Sequence, residues 1–309
     1  MTTQHKIAII GAGNVGAHCA YKIAQKELGS IVLLDVVEGI PQGKALDMMQ
    51  AGAVEGFHAN IHGTNDYKDI KDSEVVVITA GLARKPGMLR DDLVAKNSQI
   101  MDTVIDNVKK YAPNSIIIVV SNPLDVMTHR AWKRSGFPHK KVMGMAPILD
   151  AGRMQYQIAK MLNMSIKDVY AEVLGCHGDL MVPIPRFSTA KGKPITEMLT
   201  EEQINNIVEK TKQGGAEIVK HLKTGSAYYA PGSSAAKMVE AILKDAHQIM
   251  GVAAYLDGQY GLSDVFLGVP ARIGRGGVEE IVEIDLDDKE IKLLHNAAEA
   301  VRNVCEKSM

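Results

Sequence analysis

An imidazole that can exchange a proton near neutral pH stands at His177, within Gly175-Cys176-His177-Gly178-Asp179. Of the ten histidines it is the one with glycine close on both sides and an aspartate two residues on. Taken alone, such a histidine is more often a surface or satisfied core residue. Leu149-Asp150-Ala151-Gly152-Arg153 sets a carboxylate and a guanidinium one helical turn apart, on one face. That spacing by itself is more often a surface ion pair. The stretch 80–92, Ala-Gly-Leu-Ala-Arg-Lys-Pro-Gly-Met-Leu-Arg-Asp-Asp, gathers Arg84, Lys85 and Arg90 beside glycine and proline. It reads as a mobile lid over an anion, or equally as a solvated loop. Ser121-Asn122-Pro123 ends a strand-like run. The asparagine there can bond a substrate oxygen or cap the helix that begins at Pro123.

A phosphate-binding pattern stands at the other end of the chain. Ile7-Ala8-Ile9-Ile10 runs straight into Gly11-Ala12-Gly13-Asn14-Val15-Gly16. Gly11 permits the tight turn, Gly13 lets backbone approach a pyrophosphate, and Gly16 lets the following helix pack on the strand. The helix N-terminus offers amide donors and partial positive charge. Asp35 follows Gly16 by 19 residues, at the end of the next strand-like run. A carboxylate there accepts from the adenosine 2′- and 3′-hydroxyls and repels a 2′-phosphate, which predicts NAD rather than NADP. No Lys-Ser/Thr pair follows the glycines, which excludes a P-loop.

These groups need a scaffold, and the first half supplies a regular one. Short Ile/Val-rich runs at 6–10, 31–35, 74–80, 115–120 and 141–145 read as strands buried on both faces of a parallel sheet. Amphipathic stretches such as 91–111, with Leu93, Ile100, Val104 and Val108 at helical spacing, alternate with them. The expected architecture is α/β, a Rossmann-type doubly wound parallel sheet over residues 1–145. After about 145 the rhythm changes to an α+β pattern, expected to form a second domain over 146–309. Helical stretches are expected at 150–163, 200–222, 231–249 and 287–305, with extended runs at 169–174, 251–256 and 265–273. No flexible linker marks the boundary, so the two halves are expected to pack tightly.

Composition narrows the function. The 35 basic and 36 acidic residues leave a net charge of −1, which argues against a nucleic-acid or anionic-membrane binder. Three cysteines without a CxxC pair indicate neither a disulfide framework nor a zinc knuckle. No run reaches the roughly 18 apolar residues of a transmembrane helix. The expected compartment is a reducing cytoplasm. No His/Cys/Asp group has convincing metal-ligand spacing, so no metal is expected.

Together the glycine loop, Asp35, the 80–92 loop, Ser-Asn-Pro, Leu-Asp-x-x-Arg and Gly-x-His-Gly-Asp resemble the lactate/malate dehydrogenase family. The likeness holds over essentially the whole chain, with the motifs in family order, and the arginine-containing lid looks like the malate branch. The resemblance implies hydride transfer between NAD and a 2-hydroxy acid, malate in particular, giving oxaloacetate. It casts His177 as the general acid/base and Asp150 as the partner that holds its tautomer. Arg153 would grip the substrate C1 carboxylate, Arg90 polarise the C2 carbonyl, and Asn122 bond the substrate oxygen. NAD contacts are implied at Gly11, Gly13, Asn14, Val15, Gly16, Asp35, Ala80, Gly81, Asn97, Val120 and Asn122. Ser226 and Ala227 are expected to line the far side of the pocket.

Arg84 decides the substrate in this reading. Lactate dehydrogenases commonly carry glutamine there, whereas a guanidinium can pair with a second carboxylate. Facing a methyl group instead, a desolvated Arg84 would cost on the order of 2–5 kcal/mol. That is a preference of roughly thirtyfold to a thousandfold or more. Lactate or another 2-hydroxy acid is the alternative substrate, and a non-catalytic dinucleotide-binding protein the rival class. The resemblance further implies a homodimer or homotetramer, with contact surfaces near residues 43–52 and 153–162. Three residues depart from the family pattern. Pro147 and Gly152 are expected to shift the start of the helix carrying Asp150 and Arg153, and Cys176 is expected to be a small buried thiol.

Overall fold

Val75–Ile78 and Ile116–Val119 are buried along their whole length, because helices cover both faces of the sheet they belong to. A computed structural model of the chain describes residues 5–82 and 90–308. In the first half β1 (Lys6–Ile10) leads to α1 (Asn14–Gln25), β2 (Ser30–Leu34), α2 (Ile40–Glu55), β3 (Ile61–Thr64) and β4 (Val75–Ile78). Then come α3 (Arg90–Tyr111), β5 (Ile116–Val119), α4 (Leu124–Ser135) and β6 (Val142–Gly144). These six strands lie in the order β3-β2-β1-β4-β5-β6 and are all parallel. This is the doubly wound order, with strand order reversing beside β1.

The second half contains α5 (Pro147–Met161), β7 (Val169–Tyr170), β8 (Val173–Gly175), β9 (Met181–Pro183), β10 (Thr189–Ala190) and β11 (Lys193–Pro194). It continues with α6 (Glu201–Leu222), α7 (Tyr229–Leu243), β12 (Gln248–Asp257), β13 (Ser263–Gly274), β14 (Gly277–Ile281) and α8 (Asp288–Ser308). The large sheet does not stop at residue 145. β12 pairs antiparallel with β6 through Ala253 and Gly144, and β13, β8 and β9 extend the same sheet. α7 also lies along α1, where His18 Nε2 meets Ser233 Oγ at 3.1 Å and Lys26 Nζ meets Glu240 Oε2 at 2.5 Å. Among the described residues no helix is long and apolar enough to cross a membrane.

Some elements differ from the sequence expectation. The extended run 169–174 splits. β7 joins a small sheet with β10 and β11, while β8 joins the large one. Buried Glu172 sits at the break, its N–H donating to Ser188 Oγ. The helix expected at 231–249 ends at Leu243, because Asp245 and His247 adopt left-handed backbone and turn the chain into β12. The helix expected from 150 begins three residues earlier, with Pro147 in its first turn, where a missing N–H costs nothing.

Candidate active site

β1 delivers the chain to Gly11, whose φ of +108° only glycine adopts freely. Helix and strand meet closely at Gly16, where an added Cβ would lie 1.9 Å from the Gly11 carbonyl oxygen. A Cβ on Gly13, by contrast, meets nothing within 4 Å among the described residues. The cradle above the start of α1 is therefore open, and none of the described side chains caps that helix end. Its amides remain free to receive a phosphate oxygen. Asp35 closes the arrangement at the end of β2. Its Oδ2 accepts from the Ala12 N–H at 2.7 Å and its Oδ1 from the Val37 N–H at 3.0 Å. Each oxygen keeps a second lone pair for a ribose hydroxyl. Lys44 on α2 donates to the Ala12 carbonyl at 2.7 Å and braces the loop from outside. The residues present fit a dinucleotide.

Beyond the carboxyl ends of the strands lies a cavity of about 260 Å³. Val15, Val120, Asn122, Arg153, His177, Ser226 and Ala227 all line it. α5 presents Asp150, buried, with its two oxygens divided between two partners. Oδ2 meets His177 Nδ1 at 2.8 Å and Oδ1 accepts from Arg153 at 3.0 Å. Burial works against the His177 imidazolium, but Asp150 beside it more than compensates, and the ring holds its proton above the usual imidazole value. Arg153 opposes that charge from the far side of Asp150. With Nδ1 engaged, Nε2 is the ring atom left for a substrate.

The remaining sequence-predicted residues divide into two groups. Asn97 is buried and serves the protein's own backbone: it accepts from the Leu82 N–H at 2.8 Å and donates to the Asn122 carbonyl at 2.7 Å. It thereby ties the segment after β4, including half-buried Ala80 and exposed Gly81, to the corner after β5. Ser121 Oγ adds a bond to the Ala80 carbonyl at 2.5 Å. Arg84 lies outside the described residues. Arg90 opens α3, and its side chain lies outside them as well.

Other residues of the site were not anticipated. Asp125, in the first turn of α4, is buried and accepts the His177 backbone N–H at 3.0 Å through Oδ2. Burial pushes its carboxyl up to about 6, although the His177 N–H pulls the other way. Gly214 and Gly215, adjacent inside α6, make room for Arg153; a Cβ on Gly215 would sit 3.4 Å from the guanidinium. The adjacent glycines in a helix interior were the available signal. Asp125 offered none, since an acid in a first helical turn is ordinary. Away from the cavity lining, exposed Asp245, His247 and Glu279 bring ligand-type atoms within 4.8 Å of one another. The His247 Nδ1 is engaged by Glu279 at 2.7 Å, and Asp245 Oδ1 accepts the Arg275 N–H.

Comparison with known proteins covers nearly the whole chain. Residues 5–144 match the lactate/malate dehydrogenase NAD binding domain, and residues 148–309 the lactate/malate dehydrogenase alpha/beta C-terminal domain. A malate dehydrogenase of Methanosarcina mazei is 52% identical over 297 residues, 96% of this chain and 97% of its own. Among solved structures, malate dehydrogenase of Cryptosporidium parvum superposes with a TM-score of 0.96 at 42% identity, covering 99% of both chains. A lactate dehydrogenase of Cryptosporidium parvum, complexed with lactic acid and NAD, gives 0.96 at 42% identity, covering 100% of this chain and 99% of its own.

Proposed function

The chain belongs to the lactate/malate dehydrogenase family, and from that premise we propose that it interconverts malate and oxaloacetate with NAD. Relatives near half identity over nearly full length carry that activity in their names, which makes lactate the less supported substrate. The coenzyme, when bound, supplies the two-electron chemistry, hydride acceptance by NAD and donation by NADH. Gly11, Gly13, Gly16 and the amides of Asn14 and Val15 would hold its phosphates and Asp35 its adenosine ribose. Ala80, Gly81, Val120 and Asn122 would lie along its nicotinamide half.

This chain's own groups handle the proton and the substrate charge. In malate oxidation the C2 hydroxyl proton moves to His177 Nε2, and the resulting imidazolium is held by Asp150 at Nδ1. In oxaloacetate reduction the same proton returns to the C2 oxygen. Arg153 pairs with the C1 carboxylate, where its planar fork allows two parallel bonds. Asn122 bonds the C2 oxygen and Arg90 polarises it. Arg84 pairs with the distal carboxylate and so selects a diacid. The single observation that carries this reading is the chain Arg153–Asp150–His177 in a cavity whose wall includes Val15 of α1.

The matches at 5–144 and 148–309 support a division of labour between residues 1–145 for NAD and 146–309 for the acid. Exposed Val36, Ile40, Leu46, Met49 and Val54 on and before α2, with Tyr156 on α5, support a homo-oligomer joined through these faces. The setting is a reducing cytoplasm, in keeping with buried thiols at Cys19 and Cys305.

Steady-state rates with oxaloacetate and pyruvate, each with NADH and NADPH, test the proposal. Oxaloacetate with NADH should be fastest by at least tenfold; faster pyruvate turnover would overturn the role of Arg84. Arg84→Gln should depress oxaloacetate turnover and raise pyruvate turnover, and equal loss of both would count against it.

A further inference from the structure

His177 stands in the turn between β8 and β9, which Gly175 pairs at its start and the Met181 N–H closes onto the Gly178 carbonyl at its end. Gly175 before it and Gly178 after it both adopt left-handed backbone, at φ +84° and +114°. Glycine populates many conformations at such points, so contacts from outside help select the one that residue 177 adopts. Asp150 holds the ring at one end, from α5. The main chain at the other end is held by Asp125, from α4, whose Oδ2 lies 3.0 Å from the His177 amide nitrogen. Asp125 is 4% exposed, and its Oδ1 has no hydrogen-bond partner among the described residues. A carboxylate buried with so few donors is a costly way to hold one amide. A neutral acceptor would do that alone; what the carboxylate adds is negative charge beside the proton-carrying ring.

We propose that Asp125 is a positioning residue for His177: it fixes the imidazole-bearing turn through the main chain and adds a second anion beside it. The inference rests on the reading of His177 as the group that exchanges the substrate proton. The titratable groups that bear on Asp125 are His177 itself, Asp150 from α5 and the Cys305 thiol from α8, with Arg153 beyond Asp150. Removing the Asp125 charge takes away support for the imidazolium, so His177 should release its proton at lower pH. Malate oxidation needs the neutral ring and oxaloacetate reduction the protonated one. The acid limb of the first and the basic limb of the second must therefore move down together.

The experiment compares Asp125→Asn, which keeps shape and an accepting oxygen, with Asp125→Ala, which keeps neither. NMR titration of ring-labelled histidine in the protein without substrate reads His177 directly, assigned by its loss in His177→Asn. In D125N the His177 titration should fall by about half a pH unit or more, and both activity limbs should follow. In D125A, kcat should drop at least tenfold while NADH affinity stays within twofold, and D125N should recover most of that loss. A folded D125N whose His177 titrates as in the parent overturns the proposal. So does a folded D125A with unchanged kcat. Should D125A fail to fold, D125N alone decides. A parent protein inactive with malate and NAD would instead sink the reading of the site, which the substrate-free titration keeps separate.

Discussion

Pro147 rests on the backbone of Gly268: a Cβ added to Gly268 would come within 2.4 Å of the proline Cγ and of the Gly175 carbonyl oxygen. Gly251 on the neighbouring strand makes the same allowance, 2.6 Å from the Pro147 Cβ. The proline that departs from the family pattern is thus matched by two glycines beneath it, and α5 still delivers Asp150 and Arg153 together. Gly268→Ala should cost about 1–3 kcal/mol through overpacking, seen as a lowered melting temperature. It should also reduce turnover, because the same methyl presses on the strand end before His177. An unchanged melting temperature would mean the contact relaxes freely.

Gly13→Ala separates folding from coenzyme binding. An added methyl meets open space and the backbone φ of −64° suits alanine, so the melting temperature should hold or rise slightly. That methyl occupies the space over the helix N-terminus, so NADH affinity, followed by fluorescence titration, should fall at least tenfold. Normal NADH binding in this variant would show that the phosphates lie elsewhere.

His177 predicts opposite pH profiles for the two directions. Its proton is held above the usual imidazole value because Asp150 outweighs burial. Substrate-limited malate oxidation should rise with pH through that raised value, and oxaloacetate reduction should fall through it. Profiles of kcat/KM in both directions check this; parallel profiles would remove His177 from the proton transfer.

Asp150→Asn keeps the shape and deletes the charge. The imidazolium formed in malate oxidation loses its counter-ion, and the amide can present the wrong group to Nδ1. Turnover should fall by roughly a hundredfold or more, with NADH binding intact. A loss below tenfold would assign Asp150 to holding Arg153 rather than to supporting the ring.

The parallel strands were readable because continuous Ile and Val at β1, β2, β4 and β5 has one structural meaning, burial on both faces. β3 was not, since Ile61-His62-Gly63-Thr64 carries no such run. Its Gly63 is there because a Cβ would lie 2.2 Å from the Pro41 carbonyl oxygen. At the site, motif order singled out His177, Asp150, Arg153 and the glycine loop as candidates, and the first three meet around one cavity. Asp125 stayed hidden because 52 residues separate it from His177 and only packing of α4 against the β8–β9 turn unites them. Asn97 was expected to contact NAD, and spacing could not disclose that its amide bridges Leu82 and Asn122.

Gly214 and Gly215 leave α6 unevenly built. Each glycine weakens a helix interior by about 0.5–1 kcal/mol relative to alanine. Ahead of them Ile207 and Thr211 are rooted in the protein interior, while beyond them Val219 borders the cavity and is 43% exposed. Intrinsic helical preference is therefore lowest where α6 meets Arg153, between its buried half and the half that walls the cavity.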